Sequence, residues 1–120
     1  MALLPCVNKV AGDILDPAKL SPLRKGLLEF LILDIVSTGE VYVADILERL
    51  APTDFETREG TLYPLLSKMR SEGLLDYDWR ESAAGPPRKY YRLTGSGQAH
   101  LAEFRAYWAS LTSLIDQLGR

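Results

Sequence analysis

The chain has 120 residues, 47% of them hydrophobic and 25% charged, with a formal net charge of −2. That balance fits one globular domain with a modest core and excludes a polybasic, histone-like protein, so any nucleic-acid contact must gather its cations on one face. A single cysteine, Cys6, and a single histidine, His100, exclude an internal disulfide and a soft-ligand zinc cluster.

Residues 1–20 form an N-terminal extension. Leu3, Val7, Val10 and Ile14 recur at helical spacing and predict a short amphipathic helix that docks on another surface. Asp16-Pro17 breaks it. The extension lacks the positive start and small-residue cleavage site of a signal peptide. No apolar run reaches the roughly 18 residues that cross a bilayer, so a cytoplasmic protein without a membrane partner is expected.

A long helix is predicted over 21–39, with Ser21 as its cap and Pro22 in its first turn. Leu23, Leu27, Leu28, Leu31, Ile32 and Ile35 make its apolar face, and Gly39 ends it. A second helix over 41–52 turns Val43, Ile46, Leu47 and Leu50 inward, after a short extended segment at Glu40–Tyr42. Thr57 is placed to cap a third helix from Arg58 to Glu72, which Gly73 closes. Leu62, Leu65, Leu66 and Met69 line its buried face. Yet this helix carries Gly60, a poor helix former, and Pro64, which costs about 3 kcal/mol or more in a helix interior. A helix built this way is expected to use its outer face for something other than water.

Residues 74–80 alternate, with Leu75, Tyr77 and Trp79 on one side and Asp76, Asp78 and Arg80 on the other, as in a half-buried strand. Residues 81–89, "ESAAGPPRK", predict a long loop, and 89–93, "KYYRL", a second strand. From Thr94 a final helix runs to Leu118. Leu101, Phe104, Trp108, Leu111, Ile115 and Leu118 alternate three- and four-residue steps along it, a heptad seam that favours packing on the same helix of a second subunit. Packing within one subunit is the alternative.

Three helices followed by a hairpin is the order of a winged helix-turn-helix, so the fold class is mainly α (α+β). Its parts are an N-terminal helix in 1–20, a DNA-binding domain over 21–94 and a dimerisation helix over 95–120. In this arrangement the third helix enters the major groove and the hairpin is the wing. The outer face of that helix carries Arg58, Thr61, Pro64, Ser67, Lys68 and Ser71, with Tyr63 at its edge. Hydroxyls and cations there suit phosphates and base edges. Arg88 and Lys89 stand on the wing, within reach of phosphate or the minor groove. Residues 57–92 hold seven Lys/Arg against five Asp/Glu, a mildly basic region. Asp76 and Asp78 read as the wet face of a strand, and no metal cluster, nucleophile–base pair or phosphate loop is evident. No enzyme and no cofactor are expected.

"GTLYPLLSKMRSEGLL" (60–75), "GPPRKYYRLT" (85–94) and Gly97 resemble the PadR family of transcriptional regulators, over about Leu23 to Trp108. The single C-terminal helix is similar to the shorter subfamily. The resemblance implies a homodimeric repressor on double-stranded DNA with a roughly palindromic operator, released by a small hydrophobic or aromatic effector. Read from that outer face, the wing and the start of the second helix, the residues expected to touch DNA are Tyr42, Arg58, Thr61, Tyr63, Pro64, Lys68, Arg88 and Lys89. Phe104 and Trp108 match the part of the last helix where members stack flat ligands, although a tryptophan that simply fills the seam is the plainer role. The family's Tyr-Gly-Tyr-like run at the second helix is reduced here to Tyr42. A winged-helix module that binds protein or ligand, with weak or no DNA affinity, is the competing reading.

Overall fold

The computed structural model describes residues 17–83 and 85–120, with side chains from residue 21 onward. The amphipathic helix expected around Leu3 to Ile14 lies outside the described residues. The order is α1 (Pro17–Val36), β1 (Val41–Tyr42), α2 (Val43–Leu50), α3 (Glu59–Ser71), β2 (Leu75–Ser82), β3 (Gly85–Leu93) and α4 (Gly95–Leu118). The three strands form one antiparallel sheet in the order β1-β3-β2. This is a winged helix-turn-helix, mainly α with a β wing.

The first helix begins at Pro17, not at Ser21, so Ser21 does not cap it and Pro22 lies inside. Pro22 has no N–H for the carbonyl four residues back, so α1 gives up one backbone bond there. The buried face also differs from the expected one. Ile32 reaches the core as expected and Leu28, Leu31 and Ile35 pack partly against it, but Leu33 and Val36 are also buried while Leu23 is 54% exposed. The run from Leu27 to Val36 is apolar nearly all round, so periodicity selects no single face. At the C-terminal end the hydroxyls of Ser37 and Thr38 donate to the carbonyls of Asp34 and Ile35 at 2.6 and 2.7 Å. Gly39 follows at φ 145°, outside the left-handed helical region expected for a closing glycine.

The short extended segment before α2 is a true strand: Val41 and Tyr42 pair with Tyr91 and Tyr90 of β3. The Tyr42 N–H then donates to Asp45 Oδ2 at 2.9 Å, tying the strand to the first turn of α2. Val43, Ile46 and Leu50 are buried from that helix, and Leu62, Leu66 and Met69 from α3. Thr57 does not cap α3. Its hydroxyl donates to the Phe55 carbonyl at 2.8 Å, and Arg58 takes the cap position without a side-chain bond. Gly73 adopts φ 82°, the conformation that turns the chain out of the helix.

The wing is longer and its tip tighter than the sequence suggests. β2 continues to Ser82 and β3 starts at Gly85, so Pro86 and Pro87 lie within a strand. Pairing passes from Arg80↔Arg88 to Ser82↔Gly85, which gives β3 one extra residue at the prolines. The missing N–H groups therefore fall at a bulge, and beyond Tyr90 β3 has no β1 partner on its other edge. Thr94 caps α4 as expected: its hydroxyl accepts from the Gly97 N–H at 2.9 Å and donates to the Gly73 carbonyl at 2.6 Å.

Candidate nucleic-acid interface

The core fixes which side of α3 is free. With Leu62, Leu66 and Met69 inside, Thr61, Tyr63, Pro64, Ser67, Lys68 and Ser71 are exposed, as is Arg58 at the cap. The missing donor at Pro64 falls opposite the carbonyl of Gly60, in the open first turn. A Cβ at Gly60 would meet nothing within 4 Å. The fold therefore does not need glycine there, and the space in front of it is open to a partner.

Cations are sorted sharply over the surface. Lys68 lies 3.1 Å from both Glu29 and Glu72, and its ammonium pKa is raised first by Glu29 and then by Glu72. Arg92 bonds Asp78 at 2.5 Å and Asp76 at 3.3 Å, and Arg70 lies 3.7 Å from Asp76. Arg80 pairs with Glu40, Arg105 with Asp34 and Arg120 with Asp116. Among the described residues, the basic side chains without a carboxylate partner are Arg24, Lys25, Arg49, Arg58, Arg88 and Lys89. Arg49 spends its guanidinium on the Thr38 hydroxyl at 3.0 Å.

The other five flank the start of α3. On one side Arg24 and Lys25 of α1 share a groove with Arg58 and Thr61. On the other, Arg88 and Lys89 of the wing share a cleft of about 540 Å³ with Tyr42, Glu59, Tyr63 and Trp79. The first turns of α3 form the ridge between the two. Aromatic rings hold the wing cations in place. Arg88 lies 5.1 Å over the Tyr42 ring, and Lys89 lies 4.4 Å over Tyr77 and 5.3 Å over Trp79. Tyr42 stacks on Tyr90 at 3.8 Å between centroids, and its phenol pKa is raised, chiefly by a hydrogen bond with Tyr90. A cation on a ring keeps its charge available to a phosphate while losing freedom of movement.

Of the residues expected to touch DNA, Tyr42, Arg58, Thr61, Tyr63, Pro64, Arg88 and Lys89 come together around this ridge. Lys68 stands apart, neutralised on the side of α3 that faces α1. Reading the sequence alone missed Arg24 and Lys25, which only the packing of α1 against α3 brings beside Arg58. It also missed Trp79 and Tyr90, whose places depend on strand pairing.

A second cleft, of about 470 Å³, opens between the end of α1, β3 and α4. The charged groups lining it, Glu40, Arg92 and Arg105, are all spent on internal ion pairs. Among the described residues, no group of three or more His, Cys, Asp or Glu is arranged to hold a metal, and no helix is long and apolar enough to cross a membrane.

The residues expected on the heptad seam divide in two. Leu101 is 3% exposed and belongs to the chain's own core, so it is not available to a second subunit. α4 begins by packing on α1, which draws this residue inward. Phe104 is half-buried, stacked on Phe30 at 3.9 Å between centroids. Beyond it, Trp108, Ile115 and Leu118 are 41%, 62% and 77% exposed, with Leu111 half-buried.

Residues 32–103 match the family described as the transcriptional regulator PadR-like family. A PadR-like transcription factor from Bacteroides fragilis superposes with a TM-score of 0.74 at 42% identity, covering 86% of this chain and 99% of the other. A PadR-like transcriptional regulator from Bacillus cereus does so with a TM-score of 0.73 at 36% identity, covering 82% and 97%. A transcriptional regulator of Mycobacterium tuberculosis is 35% identical over 74 residues, 62% of this chain and 68% of that protein.

Proposed function

This chain belongs to the PadR-like family of transcriptional regulators, and on that premise we propose that it is a homodimeric repressor whose α3 reads the major groove of a roughly palindromic operator. The observation that carries this is the sorting of charge. Among the described basic residues, those without carboxylate partners or an internal hydroxyl bond flank the first turns of α3, in a chain whose net charge is −2. Thr61, Tyr63 and Pro64 meet base edges, and Arg58, Arg88 and Lys89 meet phosphates, the last two from the wing that enters the neighbouring minor groove.

Dimerisation uses the outer half of α4. Trp108, Leu111, Ile115 and Leu118 make an apolar stripe with no covering element among the described residues, and a second copy of the helix would bury it. Across the two-fold, the paired Trp108 rings form the plates between which a flat aromatic effector stacks. Phe104 backs each plate, at 6.3 Å between centroids, rather than touching the ligand.

Three variants test the contact set. Arg58→Ala and Arg88→Ala each weaken binding to duplex DNA and lower the slope of log affinity against log salt by about 1. Lys68→Ala changes the slope less, because Glu29 and Glu72 already neutralise that ammonium. Equal slopes in all variants and the parent contradict the contact set and favour a winged-helix module that binds protein or ligand.

A further inference from the structure

Trp79 steadies Lys89 on this surface, yet most of its ring faces solvent and the proposed contacts give it no DNA partner. It lies in β2 on the same side as Leu75 and Tyr77, which are buried and half-buried, yet it is 61% exposed. The strand has run past the core by the time it reaches this position. An indole left in water on a strand face forfeits a large hydrophobic contribution. It is also held in place. Tyr77 meets it edge-on at 6.1 Å and 89°, and the Lys89 ammonium lies 5.3 Å over its ring.

The indole lines the 540 Å³ cleft between α3 and the wing. Tyr63 (46% exposed) stands on the α3 wall and Arg88 and Lys89 on the wing wall, and Tyr42 with Val43, Ala44 and Leu47 of α2 lines the rest. The acid lining this cleft, Glu59, sits in the first turn of α3. When one element lies in a major groove and the adjoining wing in the next minor groove, one sugar–phosphate strand must pass between them. A strand of that kind needs cations for its phosphates and an apolar wall for its deoxyribose edges, and this cleft offers both.

We infer that the cleft between α3 and the wing is the seat of a single sugar–phosphate strand of the bound duplex, and that Trp79 is its apolar wall, packing on deoxyribose while Arg88 and Lys89 take the flanking phosphates. The inference rests on the DNA-binding reading above. The contact is blind to sequence, so it operates on any duplex at low salt. Because no charge is involved, it adds affinity without adding to the salt slope.

The experiment follows the acrylamide quenching of tryptophan emission while anisotropy of a fluorescein-labelled duplex reports binding to the same sample. The parent, which carries two tryptophans, is compared with Trp79→Phe. Saturating DNA is expected to shield the parent's emission from acrylamide, and this shielding is lost in Trp79→Phe although the duplex still binds. Trp79→Ala is expected to weaken binding roughly tenfold with an unchanged salt slope. Binding by anisotropy with no shielding that depends on Trp79, or with full affinity in Trp79→Ala, overturns the assignment of the cleft and leaves the DNA-binding reading standing. Absence of binding to any duplex at low salt overturns both.

Discussion

A methyl group on Gly97 would sit 2.1 Å from the Leu74 carbonyl oxygen, a backbone atom that cannot swing aside. The same carbonyl accepts the Thr94 N–H at 3.1 Å, and the Thr94 hydroxyl spans from the Gly73 carbonyl to the Gly97 N–H. The end of α3, the start of β2 and the start of α4 therefore meet at one point, with room for no side chain. Gly97→Ala is expected to destabilise the fold by about 1–3 kcal/mol, a cost typical of overpacking a tight contact. Thermal unfolding followed by circular dichroism measures it, and an unchanged midpoint would contradict the account. Gly97 could be singled out from the sequence as part of a motif, but its reason lies in a carbonyl 23 positions away in the chain. Trp79 shows the opposite case. Alternation puts it on the buried side of a strand, and only the reach of the core shows that the strand has left the interior.

Among the elements, α3 is where stability and binding pull apart. Gly60 costs helix stability, and apart from its own turn of backbone nothing lies within 4 Å of where its Cβ would be. Gly60→Ala should leave the free protein as stable or more so, by up to about 1 kcal/mol. It should nevertheless weaken DNA binding, because the added methyl points into the space that the proposed contact set gives to a duplex. Unfolding and anisotropy on the same variant separate the two effects, and a stabler variant with full DNA affinity would put the duplex elsewhere. The inner face of α3 was readable from spacing, since Leu62, Leu66 and Met69 follow one helical stripe. Its outer face was readable as to residue type but not as to charge state. That Glu29, 39 positions earlier, neutralises Lys68 depends on how α1 crosses α3. α1 was the least readable element, because a helix apolar on most sides leaves the choice of buried face to its neighbours.

For the whole molecule the decisive element is α4, which gives Leu101 to its own core and then carries an increasingly exposed apolar stripe toward its C-terminal end. The heptad spacing was legible from end to end. Where the intramolecular part of the seam stops was not, since that depends on how far α4 stays against α1, whose Phe30 is the ring Phe104 stacks on. Ile115 is 62% exposed, so Ile115→Asp spares the subunit fold and acts on the proposed dimer. Sedimentation is expected to show a monomer with native circular dichroism, and a variant still dimeric would move the interface off this stripe. Because a two-fold pair of recognition helices needs that dimer, operator affinity is expected to fall with it. The most direct measurement is the affinity of the parent protein for a labelled duplex from upstream of its own gene, against scrambled DNA, across a salt series. The account predicts preference for the upstream duplex, two subunits per site, and log affinity falling against log salt by about 0.9 for each phosphate neutralised. Failure to bind either duplex at low salt would contradict it.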